Sequence, residues 1–190
     1  AAADAPGSAV MTGAPRPPVI WTVGHSSRSW QEFLALLAPC PIELIVDVRR
    51  FAGSRKHPQF GMECLPQGLA AAGIDYLPIA ELGGRRTPRA DSANTIWRST
   101  AFRAYADHME TDEYRRGRKR LLAAAAAQRT AILCAEAVWW RCHRSMIADD
   151  LKAAGIRVLH IMGPGKTVEH PYTAAATVRD GRLVYGPASG

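Results

Sequence analysis

The chain has 190 residues, 47% of them apolar, and a formal net charge of +7 with a pI near 9.6. That length suits one domain with a real core, and the basic surplus favours acidic partners such as phosphate esters, carboxylates or nucleic acid. No apolar stretch approaches the ~20 residues of a membrane helix and no basic-then-apolar leader marks a secretory signal, so no membrane partner is expected.

Residues 1–18 are rich in Ala, Gly and Pro and read as a disordered leader, with Met11 a candidate start. Residues 19–23 read as a short strand. Ser29 and Glu32 have the spacing of a capping box, and the helix behind them carries Trp30, Phe33, Leu34 and Leu37 on one face until Pro39 and Pro41 end it. Residues 42–48 form a β-branched buried strand, and 49–61 an irregular basic loop. A helix follows to about Ala72, with Pro66 starting or interrupting it and Gly73 as its left-handed stop. Residues 74–79 are a third strand. Residues 81–98, rich in Gly, Arg and Pro, form a loop of a length that is usually functional. Helices are expected over 100–109 and 112–128, a fourth strand over 130–134, a helix over 142–154 closed by Gly155, and a fifth strand over 156–161. Asp180-Gly181 predicts a hairpin turn near the C-terminus. Strands alternate with helices, which predicts a single α/β domain over 19–190. Its mainly parallel sheet has about five strands flanked by helices, and residues 164–190 form a C-terminal extension with a hairpin.

Residues 131–145 hold the densest chemistry. The strand delivers Cys134 and Glu136 to its end, and a short loop leads through Arg141 to Cys142, His143 and Arg144 at a helix start. Open α/β sheets place ligands beyond the carboxyl ends of their strands, and helix N–H groups hold anions. Guanidiniums and a helix start favour a thiolate, so Cys142 is the better nucleophile on local electrostatics. A structural core thiol is the alternative for it and for Cys134. Glu136 is read as an acid–base group. His25 is either a general acid or base or a backbone-bonding turn residue, with the adjacent Gly24 allowing a sharp turn and close approach of a ligand. Ser26 is either a ligand contact or a cap. Asp47 is either a second carboxylate of the crevice or the partner of an arginine.

Two loops supply the candidate substrate contacts. Arg49, Arg50, Ser54, Arg55, His57 and Phe60 interleave cations with rings, as phosphate and base contacts do; an ordinary solvated loop has the same look. Glu81, Gly83, Arg85 and Arg86 lie in the second loop, which would converge on the same crevice with Arg141 and Arg144 as guanidinium forks. Trp139 and Trp140 stack on a ligand ring or wedge against the core.

The four cysteines, Cys40, Cys64, Cys134 and Cys142, do not have the spacing of a disulfide framework; they read as reduced and the chain as cytoplasmic. Cys134, Cys142 and His143, even with His25 or His57, lack the short ligand pairs of zinc sites. Neighbouring Cys142 and His143 would also diverge on a helix, so no metal is assigned. No redox-cofactor fingerprint occurs, and Gly163-Pro-Gly-Lys-Thr167 lacks the earlier glycine of a phosphate-binding loop, so no cofactor is expected.

Gly24-His25-Ser26, Val46-Asp47-Val48-Arg49, Pro58-Gln59-Phe60, Glu81-Leu82-Gly83-Gly84, Cys134-Ala135-Glu136, Cys142-His143-Arg144 and His170-Pro171-Tyr172-Thr173 resemble, in this order, the domain-of-unknown-function 488 family. The resemblance implies a small cytosolic α/β domain and makes these polar motifs its shared site, without supplying a reaction. A partial similarity to rhodanese and cysteine-phosphatase domains rests on Asp47-Val48-Arg49 and on the strand-Cys134-loop-Arg-Ser-helix unit. It implies thiol chemistry at Cys134. Arg141 lies one residue too far from Cys134 for a phosphatase loop, and that loop has two tryptophans and no glycine, which argues against a tight cradle of N–H groups.

The expectation is an enzyme, hydrolase or transferase, acting on an anionic small molecule, nucleotide or nucleic-acid fragment in a basic crevice. The alternatives are a non-catalytic nucleic-acid or nucleotide-binding module on the same loops, rhodanese-like thiol chemistry, or an interaction domain in which the polar cluster merely knits the sheet edge.

Overall fold

Buried β-branched runs build the sheet, which the computed structural model describes within residues 18–53 and 55–186. The strands β1 (Val19–Gly24), β2 (Leu44–Asp47), β3 (Asp75–Pro78), β4 (Thr130–Cys134) and β5 (Arg157–Gly163) are parallel, and β6 (Lys166–Glu169) pairs antiparallel with β5. The sheet order is β3-β2-β4-β1-β5-β6, and β7 (Thr177–Arg179) and β8 (Arg182–Val184) form the separate C-terminal hairpin. The α/β class with a mainly parallel sheet is as expected from the alternating pattern. The leader read at the N-terminus falls at 1–17, outside the described residues, apart from Pro18.

Side chains alternate across each strand. Leu44, Val46 and Ile132 pack with α3 (Thr100–Met109), α4 (Asp112–Ala127) and α5 (Arg144–Ala153) on one face. Ile45, Ala131 and Leu133 pack with α1 (Trp30–Leu37) and α2 (Leu65–Ala71) on the other. The chain leaves β2 towards β3 and leaves β4 in the opposite direction, past β1 to β5. Outgoing connections that diverge between neighbouring strands open a crevice at their carboxyl ends.

Local signals set most boundaries. Ser29 and Glu32 form both halves of the capping box of α1, and Trp30, partly buried, packs with Phe33 and Leu37 as expected, although Leu36 rather than Leu34 completes the buried face. Gly73 and Gly155 take φ of 72° and 81° after their helices. Asp180 and Gly181 both have positive φ, as a two-residue type I′ turn requires. Two expectations are corrected. The helix expected from Cys142 begins at Arg144, because a single 3-10 turn, Trp139–Arg141, precedes an extended Cys142. The edge strand β6 was not expected: all four of its residues are exposed and polar enough to hide any alternation, and they suit a solvated edge.

Two buried polar knots tie the layers. Asp149 of α5 accepts from His170 Nε2 (2.8 Å), Thr173 N (2.8 Å), Thr173 Oγ1 (2.6 Å) and the Tyr185 hydroxyl. The carboxylate can only accept, so His170 Nε2 carries the hydrogen. His170 Nδ1 then accepts from His160 Nε2 (2.9 Å), and His160 Nδ1 from the Thr22 hydroxyl (2.6 Å). The chain runs from the sheet through two imidazoles to the helix and pins the C-terminal segment. In the second knot the buried Arg144 guanidinium donates to the carbonyls of Glu136 (2.5 Å) and Ala137 (3.0 Å), beneath Gly24.

Burial, then the neighbouring His170 and Arg144, push His160 down from 6.5 to about 2. The unfolded chain therefore binds a proton below pH ~6.5 that the folded His160 refuses. Stability is full above that pH and falls below it, by up to about 1.4 kcal/mol per pH unit from this residue. His25, His108 and His143 are lowered as well, in the same sense. Urea midpoints should be level from pH 8 to 7 and decline from pH 6.5 to 5, and His160→Gln should be weaker at pH 8 but decline less steeply. An identical slope in the variant would refute this account. A Cβ on Gly24 would overlap the Glu136 carbonyl oxygen and stand 2.8 Å from Arg144 Nη1. Gly24→Ala should cost about 1–3 kcal/mol in urea unfolding.

Candidate functional site

A cleft of about 400 Å³ opens at the carboxyl ends of β2 and β4, where their connections part. It takes Arg49, Arg50 and Phe51 from the end of β2, and Cys134, Ala135 and Glu136 from the end of β4. Arg141, Cys142 and His143 come from the turn before α5, and Gly84 and Arg85 from the loop after β3. Ser99, Ala101, Phe102 and Tyr105 close one wall. Of the expected site residues, Arg49, Arg50, Arg85, Cys134, Glu136, Arg141, Cys142 and His143 meet here.

The floor holds two sulfurs and an imidazole. The Sγ atoms of Cys134 and Cys142 are joined as a disulfide, whereas all four cysteines were expected to be reduced. The inference from reduced thiols to a cytosolic compartment loses that footing. No helix among the described residues is long and apolar enough to cross a membrane. Cys142 has extended backbone (φ −130°, ψ 145°) and His143 already sits in the helical region as N-cap. Their side chains therefore converge, with Sγ 3.7 Å from His143 Nδ1. The first N–H of α5, that of Arg144, also donates to Cys142 Sγ at 3.4 Å. His143 Nε2 lies 3.1 Å from the Val48 carbonyl, which only accepts, so Nε2 carries the hydrogen and Nδ1 presents its lone pair to the sulfur. Burial, against the raising effect of that bond, pushes His143 down to about 4 and keeps the ring neutral.

Cationic groups in and around this floor fall into two kinds. Arg49 is fully committed: Nε and Nη2 grip the two oxygens of Asp47 (2.9 and 2.6 Å), while Nη1 serves the Phe60 carbonyl (2.8 Å) and His25 Nε2 (3.2 Å). Arg86 donates to Glu113 (3.0 and 3.1 Å) and the Gly83 carbonyl (2.9 Å), facing away from the cleft. Arg144 holds the Glu136 and Ala137 carbonyls from inside. Arg50, Arg85 and Arg141 are exposed at the cleft. Arg50 reaches the Arg85 carbonyl (2.8 Å), whose residue has φ of 56°, and its guanidinium lies 5.5 Å from the Phe51 ring. Arg141 and the Glu136 carboxylate make no hydrogen bond among the described residues.

Several expected site residues lie elsewhere. Asp47 is buried and saturated by Arg49 and the Tyr76 hydroxyl (2.8 Å), the salt-bridge alternative rather than a carboxylate of the crevice. His25 is buried on the Phe60 ring (centroids 4.4 Å apart), bonds the Ser26 carbonyl through Nδ1 (2.8 Å) and is pushed by burial to about 4. Ser26, with φ of 53°, completes that turn. Gly24 serves close approach as expected, but to the Glu136 backbone and not to a ligand. Phe60 is core against Phe33. Glu81 pairs with Arg120 (2.8 Å), and Gly83 abuts the Arg50 backbone. Arg55 and His57 are not among the cleft-lining residues, and Ser54 lies outside the described residues. Trp139 stacks on His160 at 4.6 Å and 6°, while Trp140 is exposed. The wall of Ser99, Phe102 and Tyr105 was not expected. Its signal was the i, i+3, i+6 spacing of one helix face.

The model of the domain of unknown function DUF488 matches residues 29–151, well over half of the chain, and spans every cleft-lining residue. The motifs around His25 and His170 fall outside that match. No curated protein and no solved structure matches the chain. On the extent of the family match and the order of its motifs, the chain belongs to the DUF488 family.

Proposed function

We propose that the protein is a cysteine-dependent enzyme, a transferase or hydrolase, acting on an anionic substrate in the cleft between β2 and β4. The observation that carries this reading is the convergence of Cys142 Sγ, the His143 Nδ1 lone pair and the first N–H of α5 on the floor of a cleft rimmed by Arg50, Arg85 and Arg141. In the reducing cytosol, the compartment we propose, two equivalents of a small thiol such as glutathione reduce the Cys134–Cys142 disulfide to two thiols and leave as their own disulfide. The Arg144 N–H and nearby guanidiniums favour the Cys142 thiolate, and the Nδ1 lone pair accepts the thiol hydrogen. The thiolate attacks the electrophilic centre and forms a bond to it as the leaving group departs, and the rim arginines hold the anionic remainder. His143 passes the thiol proton on to the leaving group, and the Glu136 carboxylate, exposed at the mouth, then takes a proton from the water or acceptor that frees Cys142.

A second reading, a non-catalytic nucleic-acid or nucleotide-binding surface, is favoured by Phe51, which is 63% exposed beside the Arg50 guanidinium as a stacking platform would be. It predicts oligonucleotide affinity that falls steeply with salt and survives Cys142→Ser.

After reduction, iodoacetamide at pH 7 should modify Cys142 at least about tenfold faster than glutathione, as expected of an activated thiolate. Inorganic phosphate or a nucleoside monophosphate should slow that reaction, less so at high ionic strength and less so in Arg141→Ala. If neither thiol outpaces glutathione and no anion protects, the enzymatic reading fails.

A further inference from the structure

We infer that the reduced site is also a zinc site, with Cys134 Sγ, Cys142 Sγ and His143 Nδ1 as its three protein ligands and a fourth position open to the cleft. The inference rests on the reading above for the accessibility of the sulfurs, and adds a metal-bound state in which they are withheld from substrate.

The donor atoms of the three residues all lie within 4.8 Å of one another. A tetrahedral zinc, with bonds of about 2.3 Å to sulfur and 2.0–2.1 Å to nitrogen, keeps its ligand atoms roughly 3.5–3.8 Å apart. Cys142 Sγ and His143 Nδ1 already stand 3.7 Å apart. The Cα atoms of Cys134 and Cys142 are 7.5 Å apart, which leaves room for an ion between the sulfurs once they are reduced. The extended backbone at Cys142 removes the objection that neighbouring ligands diverge on a helix.

The surroundings suit a ligand set. The Val48 carbonyl takes the His143 Nε2 hydrogen, which fixes the ring and leaves Nδ1 as donor, the usual outer support of a metal-bound histidine. The Arg144 N–H supports the Cys142 sulfur. A Cβ on Gly84 would stand 2.9 Å from His143 Nδ1, so the loop backbone lies over the imidazole only because residue 84 carries no side chain. Two thiolates and an imidazole are soft donors, which select zinc over magnesium or calcium. Nearby arginines oppose a bare dication, but two thiolates cancel its charge and the resulting neutral centre does not repel them. Cys134, at the end of β4, and Cys142 are buried, while the half-buried His143 packs on the Tyr105 ring (centroids 4.9 Å apart) and lines the cleft, so the vacant coordination position is on the cleft side. The disulfide and the ion are mutually exclusive, because each uses both sulfurs.

The test uses the full chain, reduced and held free of oxygen. Zinc titrated against a chromophoric chelator should bind at one equivalent, and cobalt should give thiolate-to-metal charge transfer in the near ultraviolet and tetrahedral bands in the visible. Cys142→Ser should weaken binding at least about 100-fold and His143→Gln about 10- to 100-fold, while Cys40→Ser and Cys64→Ser change nothing. Thermal melts without metal identify any variant that does not fold, and the wild-type cobalt spectrum stands without variants. Zinc should also slow alkylation of Cys142. Absence of stoichiometric binding, a cobalt spectrum without sulfur charge transfer, or binding indifferent to Cys142→Ser and His143→Gln overturns the inference. Rapid alkylation with no zinc binding rejects the metal and retains the enzymatic reading. Zinc binding at a thiol that is slow when metal-free does the reverse.

Discussion

The buried guanidinium of Arg144 organises the site. A cation taken out of water needs acceptors for its donors, and here Nη1 and Nη2 bond the carbonyls of Glu136 and Ala137, while Nε has no hydrogen-bond partner among the described residues. Those bonds draw the loop leaving β4 across the end of β1, where only glycine at position 24 leaves room. With the loop so placed, Cys134 and Glu136 turn to the cleft. The same residue opens α5, so its backbone N–H meets Cys142 Sγ. Burial, opposed by the Glu136 charge, lowers Arg144 only to about 10, and the group remains a cation at neutral pH. One side chain thereby fixes both edges of the cleft floor.

Histidine has a consistent use in this fold. His25 bridges the Ser26 carbonyl and Arg49, His143 bridges the Val48 carbonyl and Cys142, and His160 and His170 link Thr22 to Asp149. A neutral imidazole has one donor and one acceptor, so it joins an acceptor on one side to a donor on the other without burying a charge. That is the commoner use of these rings here, and it explains why His25, inviting as a general base, is a structural joint. His143 differs in one respect. The group beyond its free nitrogen is a cysteine sulfur, not a backbone amide or hydroxyl.

The fold was legible because its signals are local. Apolar runs gave β1 to β5, Ser29 and Glu32 gave a cap, and Asp180-Gly181 gave a turn. The edge strand β6 was illegible because pairing with β5 alone makes it a strand. The cleft was legible in part. Position relative to strand ends correctly brought Cys134, Glu136, Cys142 and His143 together with four arginines. What a sequence cannot supply is the partner of each charge. Asp47 with Arg49, Glu81 with Arg120 and Arg86 with Glu113 are pairs separated by up to dozens of residues, and they take Asp47, Glu81 and Arg86 out of the crevice. The disulfide and the convergence of Cys142 with His143 depended on one backbone conformation, the extended residue 142, which an expected helix start concealed.

Sorting the arginines in this way also bears on what the cleft can hold. Arg49 is neutralised by Asp47, whereas the buried Arg144, bonded to carbonyls alone, contributes a positive background that is fixed and poorly screened. Arg50, Arg85 and Arg141 present exposed guanidiniums whose attraction for an anion is weakened by salt. A ligand drawn in by the rim alone would bind as loosely as any surface anion. A ligand that also meets the floor exchanges water for sulfur, imidazole and the first N–H of α5 in a low-dielectric pocket, where each contact counts for more. On the function proposed above, discrimination among anions would therefore fall to Cys142 and His143 rather than to the net charge of +7, which acts on encounter.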